Sequence, residues 1–174
     1  MQKIIEAERI YLRSFGLGDV EDLHEILGDK ETMSHYPSQF TKDDTLQWIL
    51  RNQNRYKRDG YGLWAVCLKS SDALIGDCGL VKQEVSGREE VELGFHIHKN
   101  YWRKGFASEA GSASKDFAWK LGLKRLISII APENEASKKT AEKIGLRLEI
   151  QEFVFGRPHL IYQCGRQENI FCEK

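Results

Sequence analysis

Around Ile10 and Leu12, apolar positions alternate with Arg9, Tyr11 and Arg13, and this period of two predicts a half-buried strand ended by Gly16 and Gly18. The period then lengthens. Val20, Leu23 and Leu27 fall on one helical face behind Asp19 as N-cap and ahead of Gly28 as the stop. Thr41 caps a second predicted helix whose inward residues are Leu46, Trp48, Ile49, Leu50 and Tyr56. From Tyr61 alternation returns. Residues 63–68, 74–81 and 90–98 read as an antiparallel meander with turns at Ser70-Ser71-Asp72 and Ser86-Gly87. In the last of these strands Val91, Leu93, Phe95 and Ile97 share one face, and Glu92, Gly94, His96 and His98 share the other.

After Gly105 a helical pattern runs through Ala110, Phe117, Ala118 and Leu121 to Gly122, and a strand follows over residues 125–130. Strand, helix and strand in this order predict a right-handed parallel crossover. Asn134 opens a last helix that ends at Gly145, and strands over 147–155 and 159–164 flank a Gly156-Arg157-Pro158 turn. With no internal repeat, linker or low-complexity stretch, residues 1–174 read as one domain with a short tail from about residue 166.

A composition of 41% hydrophobic and 30% charged residues excludes disordered and collagen-like chains. Lys and Arg equal Asp and Glu at 26 each, so no global field favours nucleic acid or an anionic membrane. Residues 98–145 depart from this balance, with ten basic against five acidic side chains, which points to an anionic ligand there. No stretch approaches the roughly 18 apolar residues of a membrane span, and a cytoplasmic protein is expected. Cys67, Cys78, Cys164 and Cys172 lack C-x-x-C spacing and read as reduced packing thiols, a Cys67–Cys78 disulfide across a hairpin being the minor alternative.

The run Tyr101-Trp102-Arg103-Lys104-Gly105-Phe106-Ala107-Ser108-Glu109-Ala110 carries the strongest chemical signal. A helix N-terminus behind a glycine offers unpaired amides and a partial positive charge, and it lets phosphate oxygens approach closely. Arg103 and Lys104 add full charges, although a glycine that only makes a tight turn would leave the same pattern. His96 and His98 form H-x-H, but no third ligand accompanies them, and a metal site is not expected.

These residues resemble the GNAT acyl-CoA N-acyltransferases. Gly105-Phe106-Ala107 fits the second half of their Q/R-x-x-G-x-G/A loop, Ile10-Tyr11-Leu12-Arg13 their opening strand, and Glu92-Leu93-Gly94-Phe95 the strand before the loop. Asn134 to Ser137 followed by Glu142 to Leu146 is similar to their "NxxS…EKxGF" helix. The likeness covers roughly residues 8–165 and is nearest to the RimJ/RimL-type branch. It implies a mixed α/β (α+β-like) GNAT fold, with a twisted central sheet of about seven strands and helices on both faces. It also implies acetyl-CoA as co-substrate, a protein N-terminus or small molecule as amine acceptor, no metal, no direct nucleic-acid or membrane partner, and a homodimer left open.

By the same resemblance the backbone of Phe95, His96 and Ile97 pairs with the pantetheine arm and polarises the thioester. Arg103, Lys104, Gly105, Phe106, Ala107 and Ser108 hold the pyrophosphate, and Asn134 bonds the pantetheine. Lys138 is a further phosphate contact or a solvated lysine. Glu92 is the candidate general base, since an ammonium must lose a proton before it attacks. His96, near neutrality by type, is the alternative base, and Glu89 and Glu90 are neighbours that only the E-L-G-F context sets aside. Two departures stand out. Trp102 occupies the Gln/Arg position of the loop, which leaves its backbone donors intact. Ala141 stands where many GNAT enzymes have the tyrosine that protonates the leaving thiolate, so Ser137 takes that role, its own alternative being an ordinary first-turn serine. A non-catalytic acyl-CoA-binding module is the rival reading, and an RNA-contact module is weaker because neither charge nor aromatic motifs support it.

Overall fold

An unbroken apolar run such as Leu63–Leu68 must be covered on both faces, and the computed structural model, which describes residues 3–166, covers it. The strands are β1 (Lys3–Glu6), β2 (Ile10–Arg13), β3 (Leu63–Leu68), β4 (Leu74–Val85), β5 (Arg88–Ile97), β6 (Arg125–Ile130), β7 (Arg147–Val154) and β8 (Arg157–Gly165). The helices are α1 (Val20–Leu27), α2 (Lys42–Asp59), α3 (Phe106–Lys120) and α4 (Glu135–Lys143). The sheet has eight strands in the order β1-β2-β3-β4-β5-β6-β8-β7. Every neighbouring pair is antiparallel except β5 and β6. Trp64 and Val66 pack with Phe106, Ala110, Ala118 and Ala141 of α3 and α4. Ala65 and Cys67 point the other way, against Leu23, Leu27 and Ile49 of α1 and α2. Helices therefore lie on both faces, as the resemblance implied.

The sheet is one strand larger than expected. Lys3-Ile4-Ile5-Glu6 is a short edge strand with only Ile5 buried, and its charged ends hide the alternation. The β4–β5 hairpin is also longer, pairing out to Val85 and Arg88 around a Ser86-Gly87 turn. Both turn residues have positive φ, 52° and 73°, as a type I′ turn requires. At the β7–β8 hairpin the turn is Phe155-Gly156, again with both φ positive, while Arg157 and Pro158 belong to β8.

Two local expectations are corrected. Asp19 makes no side-chain cap for α1. Its carboxylate takes the Arg13 guanidinium through two bonds of 2.8 Å and accepts from the Gly16 amide, because burial favours pairing it with a charge. The buried residues of α2 are Thr45, Ile49 and Asn52, with Trp48 and Tyr56 only partly covered. Cys67, Cys78 and Cys164 are free thiols, as expected, and the minor alternative of a Cys67–Cys78 disulfide does not arise: Cys67 faces Leu74, Cys78 faces Trp64, and the two belong to opposite faces of the sheet. Cys172 lies outside the described residues.

Asn52 shows why a polar residue can serve the inner side of α2. Its Oδ1 accepts from the Leu63 amide at 2.9 Å and its Nδ2 donates to the Trp48 carbonyl at 3.0 Å, joining α2 to the start of β3. Asn52→Leu keeps the volume but strands the Leu63 donor. Urea unfolding is expected to show a loss of about 1–3 kcal/mol.

Candidate active site

β5 and β6 register at one pair, Glu92 with Ile127, and the Ser128 hydroxyl donates to the Leu93 carbonyl at 2.7 Å. Beyond that point β5 continues to Ile97 and β6 to Ile130 with no further pairing between them, so the strands part like a fork. A cavity of about 250 Å³ occupies the fork. Its walls are Glu92 to Phe95 on β5, Ser128 to Ala131 after the fork point, and Asn134 and Ser137 at α4. His35 and Tyr36 from the α1–α2 connection and Phe155, Arg157 and His159 from the β7–β8 hairpin complete it.

At the mouth of β5 the chain turns into α3 through Trp102-Arg103-Lys104-Gly105. Arg103 and Gly105 have φ of 59° and 83°, and Gly105 is the N-cap of α3 with no side chain to close the first amides. A Cβ on Gly105 would meet only the Arg9 guanidinium, at 3.4 Å, so the space over the helix start is open. The Phe106, Ala107 and Ser108 amides form that first turn, and Arg103 and Lys104 are exposed beside it. Such a cradle fits a pyrophosphate. Arg9 braces it by donating to the Lys104 carbonyl at 2.9 Å, pairing with Glu109 at 2.7 Å and stacking on Phe106. The Trp102 side chain, on which the sequence placed no demand, is engaged: its indole donates to the Ile97 carbonyl at 2.6 Å and ties the loop to the end of β5. Of the backbone groups expected to meet the pantetheine, that carbonyl is already taken.

Glu92, Gly94 and His96 lie on the α2 side of β5, whereas Leu93 and Ile97 enter the α3 core. The half-buried Glu92 carboxylate accepts from Gln83 at 2.7 Å. Burial raises its pKa, and the Gln83 bond, His96, the Ile129 amide and Arg55 pull against that rise. His96 donates from Nδ1 to Asp77 at 2.6 Å, and the other Asp77 oxygen accepts from the Trp48 indole at 2.8 Å. Burial alone would lower the imidazole pKa, but Asp77 and Glu92 outweigh it and hold it above the ordinary histidine value.

At α4 the Asn134 Oδ1 accepts from the Ser137 amide at 3.0 Å, which makes Asn134 the N-cap and places both residues on the cavity wall. The Lys138 ammonium bonds the Pro132 carbonyl at 2.9 Å and pairs with Glu135, so it is tethered rather than extended. Ala141 is fully buried in the core, away from the cavity. Among the described residues no group of three His, Cys, Asp or Glu side chains is placed to hold a metal ion.

The sequence reading missed Asp77, Trp48, Gln83 and Tyr36. A signal for Asp77 was present: it is the single charge in the strand run Leu74 to Val81, and a carboxylate buried there needs a partner.

Comparison with known proteins agrees with this geometry. Residues 9–147 match the family model of the acetyltransferase (GNAT) domain. The N-acetyltransferase YnaD of Bacillus subtilis, itself uncharacterized, is 32% identical over 147 residues, which cover 83% of each chain. A GNAT-family acetyltransferase from Bacillus anthracis superposes with a TM-score of 0.81 at 29% identity, over 94% of this chain and 99% of that one. RimL, a ribosomal L7/L12 alpha-N-protein acetyltransferase solved with coenzyme A, shares the fold at 15% identity, with a TM-score of 0.77 over 94% of this chain and 98% of its own. With the forked sheet, the glycine-capped α3 and a family match over most of its length, the chain belongs to the GNAT acetyltransferase family and is an acyltransferase.

Proposed function

We propose that this enzyme moves the acetyl group of acetyl-CoA to a primary amine by direct attack in a ternary complex, without a covalent enzyme intermediate. The observation that carries the reading is the fork between β5 and β6, which brings Glu92 and Ser137 to one cavity, while the loop into α3 is tied to the end of β5 through Trp102 and Ile97. Arg103 and Lys104, with the amides of Gly105 to Ser108, hold the pyrophosphate. The free backbone edge at Phe95 and His96 aligns the thioester, and Asn134 steadies the pantetheine through its amide nitrogen, its oxygen being used in the cap. A coenzyme A complex of RimL on the same fold supports this choice of ligand. Lys138 reaches a phosphate only by releasing Glu135. The acceptor is a protein N-terminus or a small-molecule amine, and the setting is the cytoplasm.

Proximity and orientation supply much of the rate in such a transfer, and Glu92 takes a proton from the incoming ammonium. Ser137 donates to the departing thiolate in place of the tyrosine that Ala141 excludes. Ser137→Ala is expected to lower kcat by about 10²-fold with acetyl-CoA affinity nearly unchanged, since the defect lies in leaving-group departure. Alkaline pH should not rescue it. The reading as a whole is tested by thiol release from acetyl-CoA against a panel of amines and short peptides, with products identified by mass spectrometry. Coenzyme A binding without turnover on any member would leave a non-catalytic acyl-CoA-binding module instead.

A further inference from the structure

Acetylation of an ammonium removes two protons from nitrogen. One leaves before attack to free the lone pair, and the other leaves after the N–C bond forms, when the nitrogen is again cationic. As the C–S bond breaks, its electron pair goes to sulfur, which takes up one proton, and one proton is released to solvent. Glu92 accounts for a single acceptor, so the fate of the second proton, which rests on the proposed function, needs another group.

The slot above Gly94 supplies a place. Gly94 lies between Glu92 and His96 on the α2 side of β5, and a Cβ there would meet only Leu63 at 3.7 Å and Glu92 Oε1 at 4.0 Å. The Tyr36 ring lines the Glu92 cavity and stands 4.9 Å from the His96 ring, which is not itself on the cavity wall, so Tyr36 connects the two groups. Asp77 is fully buried, and each of its oxygens has a donor, the Trp48 indole and His96 Nδ1. A carboxylate only accepts, which keeps a proton on Nδ1, so that in the neutral ring the lone pair is on Nε2.

We propose that Asp77 is a positioning residue for acetyl transfer, holding His96 so that its Nε2 accepts the second amine proton across the Gly94 slot from Glu92. His96 is then the catalytic partner, and Trp48 is the brace that holds the Asp77 carboxylate in place through its second oxygen. The groups that face this pair are Glu92 on β5, Tyr36 in the α1–α2 connection and Trp48 on α2. Arg55 on α2 and Arg157 on β8 act on it through Glu92 and Tyr36. A proton arriving at Nε2 makes an imidazolium beside Asp77, the form that the carboxylate favours.

The test has one readout without turnover and one with it. ¹⁵N NMR of the ligand-free enzyme, followed with rising pH, should show His96 losing its proton from Nε2 and keeping the one on Nδ1 once the ring is neutral. In Asp77→Asn the amide nitrogen can donate to Nδ1, and the proton should move to Nε2. That variant should lose about 10²-fold in kcat with the KM for acetyl-CoA unchanged. His96→Gln should lose as much, and the double variant no more than either, because both act on one path. Trp48→Phe, which keeps the carboxylate but removes its brace, should show a smaller kcat loss and a mixed tautomer, and it carries the test if Asp77→Asn does not fold. An active wild type with an Nε2–H tautomer, an Asp77→Asn enzyme with wild-type kcat, or additive losses in the double variant would each overturn the assignment. A wild type that acetylates no amine removes the acetyl-transfer reading and this inference together.

Discussion

Glu92→Gln is expected to cost about 10²- to 10⁴-fold in kcat/KM at neutral pH and to regain activity as the pH rises, because glutamine keeps the shape but cannot take the ammonium proton. The free-amine fraction grows tenfold per pH unit up to the amine pKa. The rescue therefore levels off near pH 8 for an α-amino acceptor, with its pKa of about 7.7–8.0, and near pH 10 for a lysine-like amine. The plateau position reports the acceptor class as well as the base. Stability should move the opposite way. Burial raises the Glu92 pKa in the folded state, so its contribution to stability is fully present below the unfolded-state pKa and is lost as pH rises through the raised folded value. Above the unfolded-state pKa the buried carboxyl is thus a cost, and Glu92→Gln should resist urea better than the wild type there, with the gap closing in acid. A Glu92→Gln enzyme with wild-type kcat/KM across pH 6 to 9 would hand the first deprotonation to His96 or water.

Gly105→Val should weaken coenzyme A binding on the order of 10²-fold while far-UV circular dichroism stays native. Two effects add. At φ 83° an L side chain costs about 1–2 kcal/mol, more when branched, and the new methyls occupy the open space over the α3 amides. Gly105→Ala separates them, since it carries the backbone cost with a single methyl against Arg9. Calorimetry with coenzyme A decides the matter. An unchanged affinity in the valine variant would remove the phosphate cradle from this loop.

Much of this architecture was legible because local pattern and tertiary role coincide. Thr41 does cap α2, with Asp44 returning the bond to the Thr41 amide, and the strand, helix and strand of β5, α3 and β6 form the expected parallel crossover. Glu92, Gly105, Asn134 and Ser137 could be picked out because their neighbours in sequence carry a pattern. The pairing of Asp77 with Trp48 could not, since it depends on how α2 lies against β4, and no local spacing encodes it. Asp19 failed as a cap for a related reason: Arg13 on β2 competes for the same carboxylate, and a partner six residues away is invisible to a capping rule. Lys138 illustrates the limit of i+4 logic, which places a side chain on a helix face without saying what already sits there.

The single β5–β6 pairing also bears on the mechanics of the molecule. Hydrogen bonds link β1 through β5 on one side and β6 through β8 on the other, so the sheet consists of two stiff plates that meet along a short seam pinned at Glu92–Ile127 and Ser128. A ligand lying in the fork acts as the missing cross-link between the plates. Its binding should therefore slow amide exchange along β6 and the far end of β5 well beyond the residues it touches, and raise the melting temperature in proportion to the logarithm of its concentration.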